Sequence, residues 1–98
     1  MGKYLVLWEI DQSRVPVDAR ERGAGWGALM EMVKQDIKAG LTKDFGVFVG
    51  EINGYAVWEG TEVEVGSGLV KYSPFVSFKV YPISSVSQVG EIIKSLTG

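Results

Sequence analysis

The chain has 98 residues, 46% of them hydrophobic, and a formal charge of -2. That size and content suit a single domain, residues 1–98, with a core of its own. With no cysteine and no histidine, the chain lacks the groups for disulfides, zinc fingers, cysteine nucleophiles, histidine-based triads and proximal-histidine haem ligation.

The weakly acidic balance and the scatter of the ten basic residues leave no phosphate-tracking stripe, so nucleic acid is not an expected partner. Only carboxylate and carbonyl oxygens remain as metal ligands, and no Asp-rich calcium loop is visible, so no metal and no cofactor is expected. Acid–base chemistry is restricted to Asp, Glu, Lys and Tyr. The start, MGKYLVLWEID, reads as a strand rather than a signal peptide. No apolar run approaches the roughly 20 residues of a membrane span. Val6 stands where a myristoylation signal carries a hydroxyl residue. Together these features predict a cytoplasmic protein with no membrane partner.

Lys3 to Ile10 is rich in β-branched and aromatic residues and predicts the first strand, with both faces apolar. Ser13 or Asp11 is a candidate cap for a helix running from about Val17 to Ala39. Trp26, Leu29, Met30, Val33 and Ile37 form its apolar stripe, and Gly40 closes it. Gly23, Gly25 and Gly27 weaken its first half, read either as a close approach by a neighbouring backbone or as a mobile entrance over a pocket. Phe45 to Glu51 and Tyr55 to Glu59 predict strands two and three, joined at Asn53-Gly54, the strongest hairpin signal in the chain. Gly46 and Gly50 mark a bulge or close approach in strand two.

Thr61 to Tyr72 predicts a short helix opened by the Thr61/Glu64 capping box and stopped by Ser73-Pro74. Phe75 to Ile83 predicts strand four, placed at an edge by Pro82. Ser85 with Gln88 opens a C-terminal helix whose stripe is Val89, Ile92, Ile93 and Leu96. The order is β-α-β-β-α-β plus a helix. It predicts an α+β, ferredoxin-like fold with a four-stranded antiparallel sheet, strands one and three in its middle and an added C-terminal helix.

The run FGVFVGEINGYAVWEG, the later KYSPFVSFKVYPI and the following SVSQ resemble the dimeric α/β-barrel superfamily. They are similar in particular to small archaeal and bacterial members of unknown function with a GYA-x-x-E third strand and a Y-x-P-x-V-x-F-x-V-x-P fourth strand. The resemblance covers nearly the whole chain and implies a homodimer of ferredoxin-like subunits whose bare sheet faces meet. Relatives include muconolactone isomerase, cofactor-free and haem-degrading monooxygenases, and stress-responsive proteins. Several enzyme branches use a histidine that this chain lacks, so no catalytic role carries over.

In this reading Leu5, Leu7, Val76, Phe78 and Val80 face the helices. Tyr4, Val6, Trp8, Phe75, Ser77, Lys79 and Tyr81 face the partner, where they form an inter-sheet cavity for a small organic molecule. The candidate ligand-binding residues are Trp8, Lys79, Tyr81, Tyr4 and Glu59. Lys79 is the central one, as a lysine inside an apolar strand, with Glu59 or Glu9 as a structural partner. Strand three presents either Tyr55, Val57 and Glu59 or Ala56 and Trp58 inward, and pattern alone leaves both open. Three functions follow: a homodimeric small-molecule binder, a cofactor-independent monooxygenase- or isomerase-like enzyme, and a structural or regulatory interaction module.

Overall fold

The computed structural model describes residues 2–98. Four strands make one antiparallel sheet: β1 (Gly2–Ile10), β2 (Thr42–Val47), β3 (Asn53–Gly60) and β4 (Val76–Ile83), ordered β2-β3-β1-β4. Three α-helices accompany them: α1 (Ala19–Lys38), α2 (Glu62–Val70) and α3 (Val86–Thr97). The fold is therefore α+β, with β1 and β3 central as the order of elements predicts. β4 pairs only with β1, which puts Pro82 on an edge where its missing N–H costs no ladder bond.

The helix ends follow local hydrogen bonding. Both predicted capping boxes are present, Thr61 with Glu64 on α2 and Ser85 with Gln88 on α3. The cap of α1 is Asp18, whose carboxylate accepts from Glu21 N, and not Asp11 or Ser13. Asp11 instead accepts from the Ser13 amide and hydroxyl at 3.0 and 2.7 Å and caps a short 3₁₀ turn, Gln12–Arg14. Gly40 closes α1 with φ of 83°, a conformation that L side chains rarely adopt.

The hairpin between β2 and β3 corrects the expectation for Asn53-Gly54. Those two residues begin β3. The chain reverses over Phe48–Ile52, where Glu51 N donates to Phe48 O at 3.0 Å and Gly50 takes φ of 78°. That is the position at which a type II turn requires positive φ. Gly54 serves a different need: a Cβ there would lie 2.6 Å from Trp8 Cζ2 and would also strike the Gly46 carbonyl. β2 accordingly starts and ends earlier than predicted, and it carries an irregularity between Thr42 and Asp44.

The register also corrects the faces of β1. Val6 pairs with Ala56 and Val80, and Trp8 with Gly54 and Phe78. Directly paired residues share a face, so Val6, Trp8, Ala56, Phe78 and Val80 all lie on the helix side. Val6, Trp8, Ala56 and Trp58 are buried there with Val33, Val65, Leu69 and Tyr72. Leu5 and Leu7 face away from the helices, with Tyr55, Val57, Lys79 and Tyr81 beside them. The predicted face of β4 holds and that of β1 is inverted. Both sets on β1 are apolar, so alternation carried no sign.

α2 buries Val65, Gly68 and Leu69, one stripe at helical spacing. A Cβ on Gly68 would sit 2.8 Å from Trp58 Cη2, so its absence lets α2 settle onto the Trp58 ring. Gly23, Gly25 and Gly27 have no such neighbour, as nothing lies within 4 Å of a Cβ built on any of them. Close approach of a backbone therefore does not explain these three. α3 buries none of its residues, and Val86, Ile92, Ile93 and Leu96 are more than half exposed. It contributes to a radius of gyration of 16.2 Å, against about 13 Å for a compact chain of this length.

These contrasts predict opposite responses to one added methyl group. Gly54→Ala and Gly68→Ala each lower stability by about 1–3 kcal/mol through overpacking, whereas Gly25→Ala raises it by about 1 kcal/mol through helix propensity. Urea unfolding followed by circular dichroism measures all three.

Candidate functional site: an apolar cavity beneath the helices

α1 packs over β2 and α2 over β3. Between the helices and the sheet lies a half-open cavity of about 250 Å³ whose α1 wall is partly exposed at Trp26 and Met30. Its floor is Val6, Trp8, Ala56 and Trp58, while α1 supplies Trp26, Leu29, Met30 and Val33, and Leu69, Tyr72 and Phe78 line the far side. The lining is overwhelmingly carbon.

Trp8 sets the character of the floor. Its ring stacks on Phe45 with centroids 5.5 Å apart and planes 1° from parallel. Its Nε1 donates to the Tyr55 carbonyl at 3.1 Å. The indole N–H is thus satisfied within the sheet, and the ring brings apolar surface to the cavity.

The roof is tied by a carboxylate. Asp36 is 3% exposed on the inner face of α1. It accepts from the Tyr72 hydroxyl at 2.5 Å and from Lys71 Nζ at 3.2 Å, both just beyond α2. Tyr72 also meets Phe78 of β4 edge to face at 6.1 Å. Burial, then the hydrogen bond to Asp36 and its charge, push the Tyr72 hydroxyl well above its ordinary pKa of 10.0. The buried stripe of α1 therefore includes Asp36, and Ile37, predicted for that stripe, is about half exposed. Carboxylates are seldom buried without partners, so pattern reading placed Ile37 inward; the partners of Asp36 lie 35 and 36 residues away in sequence.

Besides the Tyr72 hydroxyl and the indole N–H groups of Trp8, Trp26 and Trp58, the lining includes two polar side chains, Glu51 in the hairpin turn and Thr42 at the start of β2. Glu51 is exposed. Thr42 is 3% exposed, and its hydroxyl has no hydrogen-bond partner among the described residues. No fully enclosed side-chain polar atom among those residues lacks a partner, so the Thr42 oxygen is accessible rather than sealed in.

The five residues expected to form a site are divided by the sheet. Trp8 is in the cavity floor. Tyr4 shares that face farther along β1, opposite Trp58 and Pro82, and packs against the core. Lys79, Tyr81 and Glu59 lie on the other face, opposite Leu7, Leu5 and Lys3 respectively. Tyr4 and Tyr81 are therefore not on a common surface. Glu59 and Lys79 sit on strands separated by β1, and Lys79 forms no ion pair among the described residues. Its nearest acidic neighbour in register is Glu9, one diagonal step away. Among the described residues no cluster of acidic side chains is arranged to hold a metal ion, and no helix is long and apolar enough to cross a membrane.

Sequence reading missed Thr42, Phe45, Asp36 and Tyr72 as site residues. Only Asp36 left a trace, as an acidic residue three positions after Val33 on an otherwise apolar face. Compared with known proteins, the chain matches no family model and no curated protein.

The roof tie predicts a mutational and a pH effect. Tyr72→Phe removes a donor from a buried carboxylate and costs about 1–3 kcal/mol, read from urea unfolding at neutral pH. Because folded Tyr72 holds its proton above the value of 10.0 that it has when unfolded, the unfolded state binds fewer protons above that pH. The tyrosine's contribution is complete below about pH 10 and declines as pH rises beyond it. Tyr55, raised by its hydrogen bond to Asp44, adds to the same decline. Thermal melts between pH 8 and 11 should fall steeply in the native chain and less steeply in Tyr72→Phe.

Proposed function

We propose that this chain is a small binding protein with a ferredoxin-like subunit, and that it holds a small apolar molecule in the cavity beneath its helices. The observation that carries the reading is the cavity itself: about 250 Å³, floored by an indole whose polar atom is already bonded. An enclosed apolar cavity of about 150 Å³ takes up benzene or xenon; this one is larger and opens to solvent beside Trp26 and Met30, both exposed. Lys79, Tyr81 and Glu59 lie across the sheet, so a molecule in this cavity meets none of them. That arrangement favours binding over an isomerase- or monooxygenase-like reaction on those groups.

A separate observation supports a homodimer of the dimeric α/β-barrel kind. The face of the sheet away from the helices carries Leu5, Leu7, Val57 and Tyr81, and no element among the described residues covers it. A second copy of the same face would remove these side chains from water, and each buried apolar side chain contributes about 1.5–3 kcal/mol. Lys3, Glu9, Glu59 and Lys79 would then form the polar groups of that interface.

Naphthalene tests the binding reading. A ¹H–¹⁵N titration that follows the tryptophan indole signals should show saturable one-to-one shifts, and Ala56→Met, which fills the floor, should stay folded and abolish them. Unshifted signals up to the solubility limit would overturn it. Light scattering over a dilution series tests the dimer: the native chain should hold twice the monomer mass, and Leu5→Lys should hold the monomer mass. A native chain that is monomeric at all concentrations would remove the barrel.

A further inference from the structure

The accessible, unpartnered hydroxyl of Thr42 narrows the class of molecule, an inference that rests on the binding reading above. We infer that the cavity is selective for a neutral, mainly carbocyclic molecule of about ten non-hydrogen atoms bearing one hydroxyl or carbonyl group, which hydrogen-bonds to Thr42.

The size comes from volume. A cavity of about 150 Å³ accepts benzene, and in proportion 250 Å³ accepts about ten non-hydrogen atoms. The neutrality comes from the walls. The lining offers no cation, and its one carboxylate, Glu51, is on the exposed turn; a charge carried beneath the helices would lose its hydration without a counter-charge.

The polar group comes from an inventory of the lining. Trp8 Nε1 is committed to the Tyr55 carbonyl and the Tyr72 hydroxyl to Asp36, whereas the indole N–H groups of Trp26 and Trp58 have no partner among the described residues and can only donate. Thr42, 3% exposed, is the one lining hydroxyl without a partner among the described residues, and unlike an indole N–H it both donates and accepts. An entirely apolar guest would leave that oxygen without a partner, whereas a guest with a single hydroxyl or carbonyl would satisfy it. Sites that present an unpaired polar group discriminate strongly against ligands that cannot pair it.

The test compares naphthalene with 2-naphthol on native chain, Thr42→Val and Thr42→Ser, with affinities taken from the indole shifts. Valine preserves the shape of threonine and removes the hydroxyl; serine keeps the hydroxyl. The preference for 2-naphthol over naphthalene should fall about three- to tenfold in Thr42→Val, with naphthalene affinity nearly unchanged, and should persist in Thr42→Ser. If both compounds bind and the preference is the same in the native chain and Thr42→Val, the assignment to Thr42 is wrong while the binding reading stands. If neither compound binds the native chain, the binding reading fails and this inference with it.

Discussion

The contact between Asp36 and Tyr72 holds the helix layer together. α1 and α2 are separated by a gap, and among the described residues side-chain hydrogen bonds cross it only where Asp36 receives Tyr72 and Lys71. Tyr72 then continues the connection downward by its edge against Phe78. One carboxylate thus relates α1 to the end of α2, at a residue 36 positions further on, and, through Tyr72, to β4. A buried carboxylate is costly unless its lone pairs are used, and here a hydroxyl and an ammonium use them. Because the tie is made at one end, the helices can stand apart elsewhere and a space remains beneath them.

That space is bounded by elements of unequal firmness. Below, β1 and β3 are paired along nearly their whole length, and Trp8 is fixed by both stacking and a hydrogen bond. On the α2 side, Gly68 brings the helix down onto Trp58. The first half of α1 is the least firm boundary, for its three glycines lower helix propensity by about 1 kcal/mol each and no neighbour compensates. A rigid floor under a looser roof is an arrangement in which a guest can be admitted without breaking the sheet.

Much of the architecture was legible from residue order, and the failures share a cause. The capping boxes, the closing Gly40 and the edge proline are local signals, each read from a few adjacent residues, and each lies where the local chemistry demands. The Asn53-Gly54 signal is local too, yet it misled, because Gly50 already supplied the positive φ and Gly54 was required for contact with Trp8. The face of β1 was illegible for another reason: Leu5 and Leu7 are as apolar as Val6 and Trp8, so alternation identified two faces without ranking them. This inversion moved Trp8 away from Lys79 and Tyr81 and divided the expected site. Thr42 and Asp36 derive their significance from partners, present or missing, that only three-dimensional packing defines.

The exposed stripe of α3 has a thermodynamic corollary. Isolated helices shorter than about 12–15 residues are marginal in water, and α3 has 12 residues with none buried. Its capping box and the Lys94–Glu91 pair contribute only locally, so its winding is nearly uncoupled from the body of the domain. Amide exchange in this segment should therefore be governed by fraying, orders of magnitude faster than in β1 and β3. Any slowing there would report directly that something had come to lie against Val89, Ile92 and Leu96, which makes the last twelve-residue helix a built-in gauge of association.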